Sequence, residues 1–168
     1  DTISGGTGND IAFGDNAEID FGSVRRIETT ANEVGGADTM YGDADEDVLA
    51  GGAYGDRIDG GSERDLIFGD NVRLDRDAGA STNPRYRMLQ GGQIYANGVG
   101  TGSADASLVT DAEQQVPGGA AVWEDFDITL LDHDDANEAL AGNTRFGDDY
   151  IAGGAHADQI FGQLGDDT

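Results

Sequence analysis

The chain contains no cysteine and no lysine, only two prolines and a single tryptophan. Without cysteine there is no disulfide and no thiolate ligand, which removes zinc ribbons, redox centres and cysteine nucleophiles. Nine arginines face 34 acidic residues, for a formal charge of −25. Such a charge repels phosphates and excludes a nucleic-acid binder. No apolar run approaches the roughly 18 residues of a membrane span, so membrane insertion is excluded too. There is no GxSxG element, and the two histidines, His133 and His156, lie far apart in sequence. Catalysis is not expected of this chain.

What the chain has instead is aspartate, which outnumbers glutamate 26 to 8, and 28 glycines. Helix-rich acidic proteins favour glutamate, so this bias points to turns and oxygen-ligand chemistry. So much uncompensated charge ordinarily marks a disordered chain. Disorder, however, predicts no regular spacing of apolar residues, and here the spacing is regular. The simpler reading is that cations supply the missing positive charge. Oxygen-only ligation selects hard ions such as Ca²⁺.

The regularity has a period of nine. Residues 42–50 read GDADEDVLA, 51–59 GGAYGDRID and 60–68 GGSERDLIF, each with Asp sixth and an apolar residue eighth. Residues 5–13 (GGTGNDIAF) and 153–161 (GGAHADQIF) fit the same frame, and 162–168 (GQLGDDT) begin another unit. Glycines at the first, second and fourth positions predict a tight turn opening each unit. A short strand follows, with its middle residue pointing inward. One unit cannot bury that residue alone, so the units must stack.

These units resemble the RTX calcium-binding nonapeptide GGxGxDxUx, over residues 1–14, 35–69 and 144–168. The resemblance implies an all-β fold, a right-handed parallel β-roll (a β-solenoid) holding Ca²⁺ between successive turns. It also implies that the sixth-position carboxylates, Asp10, Asp38, Asp47, Asp56, Asp65, Asp149, Asp158 and Asp167, are the ligands. Turn backbone at Gly6, Gly8, Asp43, Asp45, Gly52, Gly61 and Gly154 completes each shell. One ion per pair of neighbouring turns makes roughly six ions. Asp43 and Asp45 stand where the pattern has glycine, Glu63 and Arg64 fill the fourth and fifth positions of their turn, and His156 takes a glycine slot. Weaker binding or altered geometry is expected at those turns.

Two insertions interrupt the repeat, and both begin alike, with Phe13-Gly14-Asp15-Asn16 and Phe68-Gly69-Asp70-Asn71. Asp15 and Asp70 are candidate ligands replacing lost turn glycines; an Asx turn opening each insertion explains them equally well. Residues 15–34 read as a β-hairpin turning at Gly22-Ser23. Residues 70–143 form a larger β-rich insertion, with candidate strands at 86–90, 93–96 and 121–131. Residues 106–116 are either a short helix or a loop. Counting each insertion as one turn places the strands after Asp10, Asp47, Asp65 and Asp158 in one sheet. Those after Asp38, Asp56, Asp149 and Asp167 form the other. The first sheet has an apolar outer face that needs covering. Trp123, Phe126, Ile128, Leu130 and Leu131 either cover it or form the insertion's own core.

The chain starts at Asp1 in mid-repeat, stops at Thr168 in mid-turn and has no initiator methionine, which predicts a fragment of a longer polypeptide. The leading functional expectation is a calcium-binding module that folds outside the cell. By resemblance its parent is a bacterial protein secreted through a type I system. The competing expectations are two. One is a Ca²⁺-dependent module of an adhesin, binding a glycan or cell-surface ligand through Tyr86, Tyr95 and Trp123 of the 70–143 insertion. The other is the non-catalytic tail of a secreted enzyme. Leu131-Asp132-His133-Asp134-Asp135 is either an extra metal site or a solvated acidic loop.

Overall fold

Each nonapeptide folds as a glycine-led turn followed by three extended residues, because its apolar eighth position is buried only when neighbouring units stack. The computed structural model describes residues 1–20, 26–76, 121–123, 126–139 and 144–168. In chain order the strands are β1 (Thr2–Thr7), β2 (Ile11–Phe13), β3 (Ala17–Asp20), β4 (Arg26–Thr29), β5 (Thr39–Ala44) and β6 (Val48–Ala50). Then come β7 (Arg57–Asp59), β8 (Leu66–Phe68), β9 (Val72–Arg76), β10 (Phe126–Leu130), β11 (Tyr150–Ala152) and β12 (Gln159–Phe161). A single helical turn, α1 (Asp135–Glu138), lies between β10 and β11.

Among the described residues these strands make three four-stranded sheets. Two are wholly parallel, in the orders β1-β5-β7-β11 and β12-β8-β6-β2. The chain alternates between them at every turn, which is the two-sheet partition expected from the nine-residue period. Register keeps like positions together: Met40 pairs with Ile3 and Ile58, and Ile58 with Ile151. Leu49 and Ile67 stand opposite in the second sheet, and with Met40 and Ile58 they form a buried core. Burying each such side chain stabilises the fold by about 1.5–3 kcal/mol.

The third sheet is antiparallel, in the order β10-β9-β4-β3, and it joins the two insertions. β3 and β4 pair as a hairpin whose turn lies outside the described residues. β9 pairs with β4 on one side and β10 on the other. Its apolar side, with Ile27, Val72, Leu74 and Phe126, packs on Val48, Ala50, Leu66 and Phe68 of the second parallel sheet. Phe68 and Phe161 stack at 5.1 Å between ring centroids. Trp123, Phe126, Ile128 and Leu130 therefore cover the repeat strands, while Leu131 stands outside this cluster. Of the other predicted segments, 86–90, 93–96 and 106–116 lie outside the described residues.

The acidic 131–135 stretch is structured as a cap. The Oδ1 of Asp134 accepts the backbone N–H groups of Ala136 and Asn137 at 2.9 Å each, opening α1. Asp132 accepts from Asn32 and Arg145. Among the described residues no cluster of three His, Asp or Glu groups is placed to hold a metal ion. In the 131–135 stretch the oxygens of Asp132 and Asp134 are taken up by these bonds, with Asp134 Oδ2 also accepting from the Asn137 side chain.

Candidate metal centres

The turns stack in two columns, one at each end of the strands. In each turn that no insertion splits, the second and fourth residues have a left-handed backbone. Glycine serves at Gly6, Gly8, Gly52, Gly61 and Gly154, with φ from 96° to 110°. Elsewhere ordinary side chains are held in the same conformation: Asp43 (φ 73°), Asp45 (79°), Tyr54 (72°), Glu63 (76°) and His156 (81°). The backbone conformation of the turn thus persists where its glycines are lost. Stacking imposes it, at a cost of about 1–2 kcal/mol per residue.

The first-position glycine is needed for a different reason. A Cβ on Gly42 would collide with Oδ2 of Asp47 and with the carbonyl oxygen of Gly60, one coil on. The same pair of oxygens, one carboxylate and one carbonyl, crowds Gly5, Gly14, Gly51, Gly60 and Gly69. Asp158 and Asp167 hold the same place beside Gly153 and Gly162.

The sixth-position aspartates form a ladder in each column. Oδ1 of Asp47 accepts the backbone N–H of Asp10 at 2.8 Å, Oδ1 of Asp65 that of Asp47 at 2.9 Å, and Oδ1 of Asp158 that of Asp65 at 3.0 Å. In the other column the N–H of Asp38 bonds Asp56, that of Asp56 bonds Asp149, and that of Asp149 bonds Asp167, at 2.7, 2.7 and 3.0 Å. Although both insertions break the second column, its ladder is as short and as continuous as the other. Asp47, Asp56, Asp65, Asp149, Asp158 and Asp167 each spend one oxygen on this bond, while Oδ1 of Asp38, at the head of its column, accepts the N-terminal ammonium of Asp1. The second oxygen, Oδ2, of Asp10, Asp38, Asp47, Asp56, Asp65 and Asp149 is buried with no hydrogen-bond partner.

Asp15 and Asp70 explain why the interrupted column stays regular. Oδ1 of Asp15 accepts the N–H of Gly36 and Oδ2 that of Ala53, at 3.1 and 2.7 Å. Oδ1 of Asp70 accepts the N–H of Gly147 and Oδ2 that of Leu164, at 3.2 and 3.0 Å. The offsets match: Gly36 and Gly147 stand two residues before Asp38 and Asp149, and Ala53 and Leu164 three before Asp56 and Asp167. Each insertion splits a turn, and the aspartate at its root clips the two halves together and to the next coil. Sequence alone signalled this only through the shared Phe-Gly-Asp-Asn.

Burial without a counter-charge raises these carboxyls. Asp56 is pushed up to about 8, with the charges of Asp149 and Asp38 adding to the effect. Burial likewise lifts Asp65 and Asp149 to about 7 and Asp47 to about 6. Asp70 reaches about 9, through burial and the nearby charge of Asp149. Asp158 and Asp15 are also raised, again chiefly by burial. A buried row of carboxylate and carbonyl oxygens, with no donor among them, suits a hard cation, which Coulomb attraction holds strongly in a low dielectric.

The family model described as the RTX calcium-binding nonapeptide repeat matches in four copies, at residues 1–17, 35–53, 50–71 and 141–168. The chain belongs to the RTX repeat family. No curated protein and no solved structure matches it. The aspartate ladders and the crowded glycines lie within the matched RTX segments. No described helix is long and apolar enough to cross a membrane. The aromatic residues proposed for glycan recognition fare differently. Trp123 is 1 % exposed, and its indole N–H donates to the carbonyl of Arg64 at 2.9 Å, so it is not a surface platform. Tyr86 and Tyr95 lie outside the described residues.

Proposed function

We propose that the chain is a calcium-dependent structural module of a secreted bacterial protein, unfolded at cytosolic Ca²⁺ and folded outside the cell. The two parallel sheets are the walls of a right-handed β-roll built from residues 1–14, 35–69 and 144–168. The hairpin at 15–34 and the insertion at 70–143 form its cover. The observation that carries this reading is the row of buried, unpartnered Oδ2 atoms. Each stands beside a glycine carbonyl of the neighbouring coil or its own first glycine. Bound calcium supplies the positive charge that these oxygens lack. The sixth-position aspartates would hold it from both sides of each gap between turns, roughly three ions per column and six in all. The role is structural rather than catalytic: the ladder carboxylates recur in register at the repeat spacing, and six of them bond the backbone of the neighbouring coil.

Extracellular modules bind Ca²⁺ with Kd of about 10⁻⁴–10⁻³ M. The test is far-UV circular dichroism of the chain in chelator, followed by titration with Ca²⁺. A cooperative rise in β signal near millimolar Ca²⁺ is expected, with Mg²⁺ substituting poorly because it demands compact octahedral geometry. Asp47→Ala should raise the Ca²⁺ midpoint, since Asp47 borders two gaps. A chain fully folded in chelator and indifferent to Ca²⁺ would overturn the reading.

A further inference from the structure

The cover does not rest on the repeat strands alone. Residues 121–123 reach past the sheet edge to the uninterrupted column and grip two consecutive turns by their fifth residues. Oε2 of Glu46, in the 42–47 turn, accepts the backbone N–H of Val122 at 2.8 Å. The carbonyl of Arg64, in the 60–65 turn, accepts the indole N–H of Trp123. Glu46 and Arg64 are themselves joined, by a guanidinium–carboxylate bond from Arg64 Nη2 to Glu46 Oε1. Both side chains are largely buried, at 16 % and 13 % exposure for Arg64 and Glu46. From the sheet side, Arg76 donates to the carbonyl of Val122 at 2.9 Å and lies over the Phe126 ring.

Glu46 and Arg64 directly precede Asp47 and Asp65, two neighbours in the ladder. The distance between their turns is therefore the distance across one calcium gap. With that gap empty, the carboxylates of Asp10, Asp47, Asp65 and Asp158 face one another along the column. Repulsion would spread the turns and carry Glu46 away from Arg64. Val122 and Trp123 could then not reach both partners at once.

We propose that Glu46 and Arg64 form a latch that makes docking of the cover depend on calcium in the gap between the 42–47 and 60–65 turns. The latch rests on the calcium reading above and adds to it a specific coupling: calcium in this gap seats Trp123, and a seated Trp123 tightens calcium there in equal measure. The two hydrogen bonds from 121–123 to Glu46 and Arg64 both reach the uninterrupted column.

The single tryptophan makes this measurable on the intact chain. Far-UV dichroism reports the repeat strands and Trp123 emission reports docking, both against added Ca²⁺. In the unmodified chain the two midpoints should coincide, with emission shifting to the blue as Trp123 is buried. In Glu46→Ala the emission midpoint should move to at least about fivefold higher Ca²⁺ than the dichroism midpoint, a coupling in the usual allosteric range. Glu63→Ala, an exposed residue of the same column without contact to 121–123, should leave the two together. If Glu46→Ala gives no β signal at any Ca²⁺, Glu46→Gln, which keeps an acceptor but loses the charge, should show the same split. Coincident midpoints in whichever Glu46 variant folds, or blue-shifted emission in chelator, would overturn the latch. Absence of any Ca²⁺ response in the unmodified chain would instead overturn the calcium reading on which it rests.

Discussion

Replacing Asp56 with Asn should stabilise the metal-free chain and weaken its response to calcium, an inversion that no ordinary buried aspartate would give. Asp56 is 1 % exposed. Its Oδ1 accepts the Asp38 N–H at 2.7 Å, while Oδ2 has no partner and crowds Gly51 beside the Gly69 carbonyl. Its ordinary value of 3.8 rises to about 8 in the fold. At pH 7 the metal-free fold must therefore hold a proton that the unfolded chain has released, which costs about 2–4 kcal/mol. Several such groups together rival the whole stability of a small domain, about 5–15 kcal/mol. Asparagine keeps an oxygen for the Asp38 N–H and offers an amide donor towards the Gly69 carbonyl, so that cost disappears. With calcium the balance reverses, because an anionic ligand shared by two gaps is gone. The Ca²⁺ midpoint at pH 7 should rise about tenfold, equivalent to about 1.4 kcal/mol. In chelator, followed by dichroism from pH 8 to pH 4, the variant should gain β structure at a higher pH than the parent. A variant that loses β signal in chelator at every pH and keeps the parental Ca²⁺ midpoint would refute the reasoning.

Three further outcomes follow from the same geometry. Asp47, Asp56, Asp65, Asp70 and Asp149 all have folded values above their ordinary 3.8. Their contribution to the metal-free fold is thus complete below about pH 4 and lost as pH rises through about 6 to 9. Because Ca²⁺ competes with those protons, its midpoint should fall steadily between pH 5 and pH 8; a pH-independent midpoint would contradict the ladder's role. Trp123→Ala, measured by urea unfolding in calcium, should cost about 3–5 kcal/mol, and Trp123→Phe about 1 kcal/mol for the lost bond to the Arg64 carbonyl. A loss under 1 kcal/mol for the alanine variant would mean that the cover is not seated as described. Glu63→Gly should raise the thermal midpoint in calcium, by relieving a left-handed φ of 76° worth about 1 kcal/mol, whereas Glu63→Ala should not.

The repeat frame was legible in the sequence because its causes are local and periodic. An aspartate every nine residues, with an apolar residue two places later, sets both the inward row and the ladder. Alternation of the units between two sheets followed from counting each insertion as one turn, and β2, β6, β8 and β12 do share a sheet. The apolar pairs Val48/Ala50 and Leu66/Phe68 showed which face needed a cover. Those inferences need only the period of a strand and the size of a side chain.

Contacts between distant segments were not legible. β9 joins β4 of one insertion to β10 of the other, across separations no short-range pattern records. Trp123 could have been a surface platform or a buried anchor; its environment, supplied by Arg64 and the apolar face of β6 and β8, makes it an anchor. Asp15 and Asp70 had the composition of ligands or of Asx turns, and what they bond was decided by which N–H groups the stacked coils bring within reach. Glu63 and His156 looked like breaks in the turn pattern, yet their neighbours above and below hold them in glycine's conformation. The sequence by itself determined which residues face in and which carboxylates form a column. Only the tertiary structure decided what covers the column's sheet and what grips its turns, because those are pairwise energies between groups far apart in the chain.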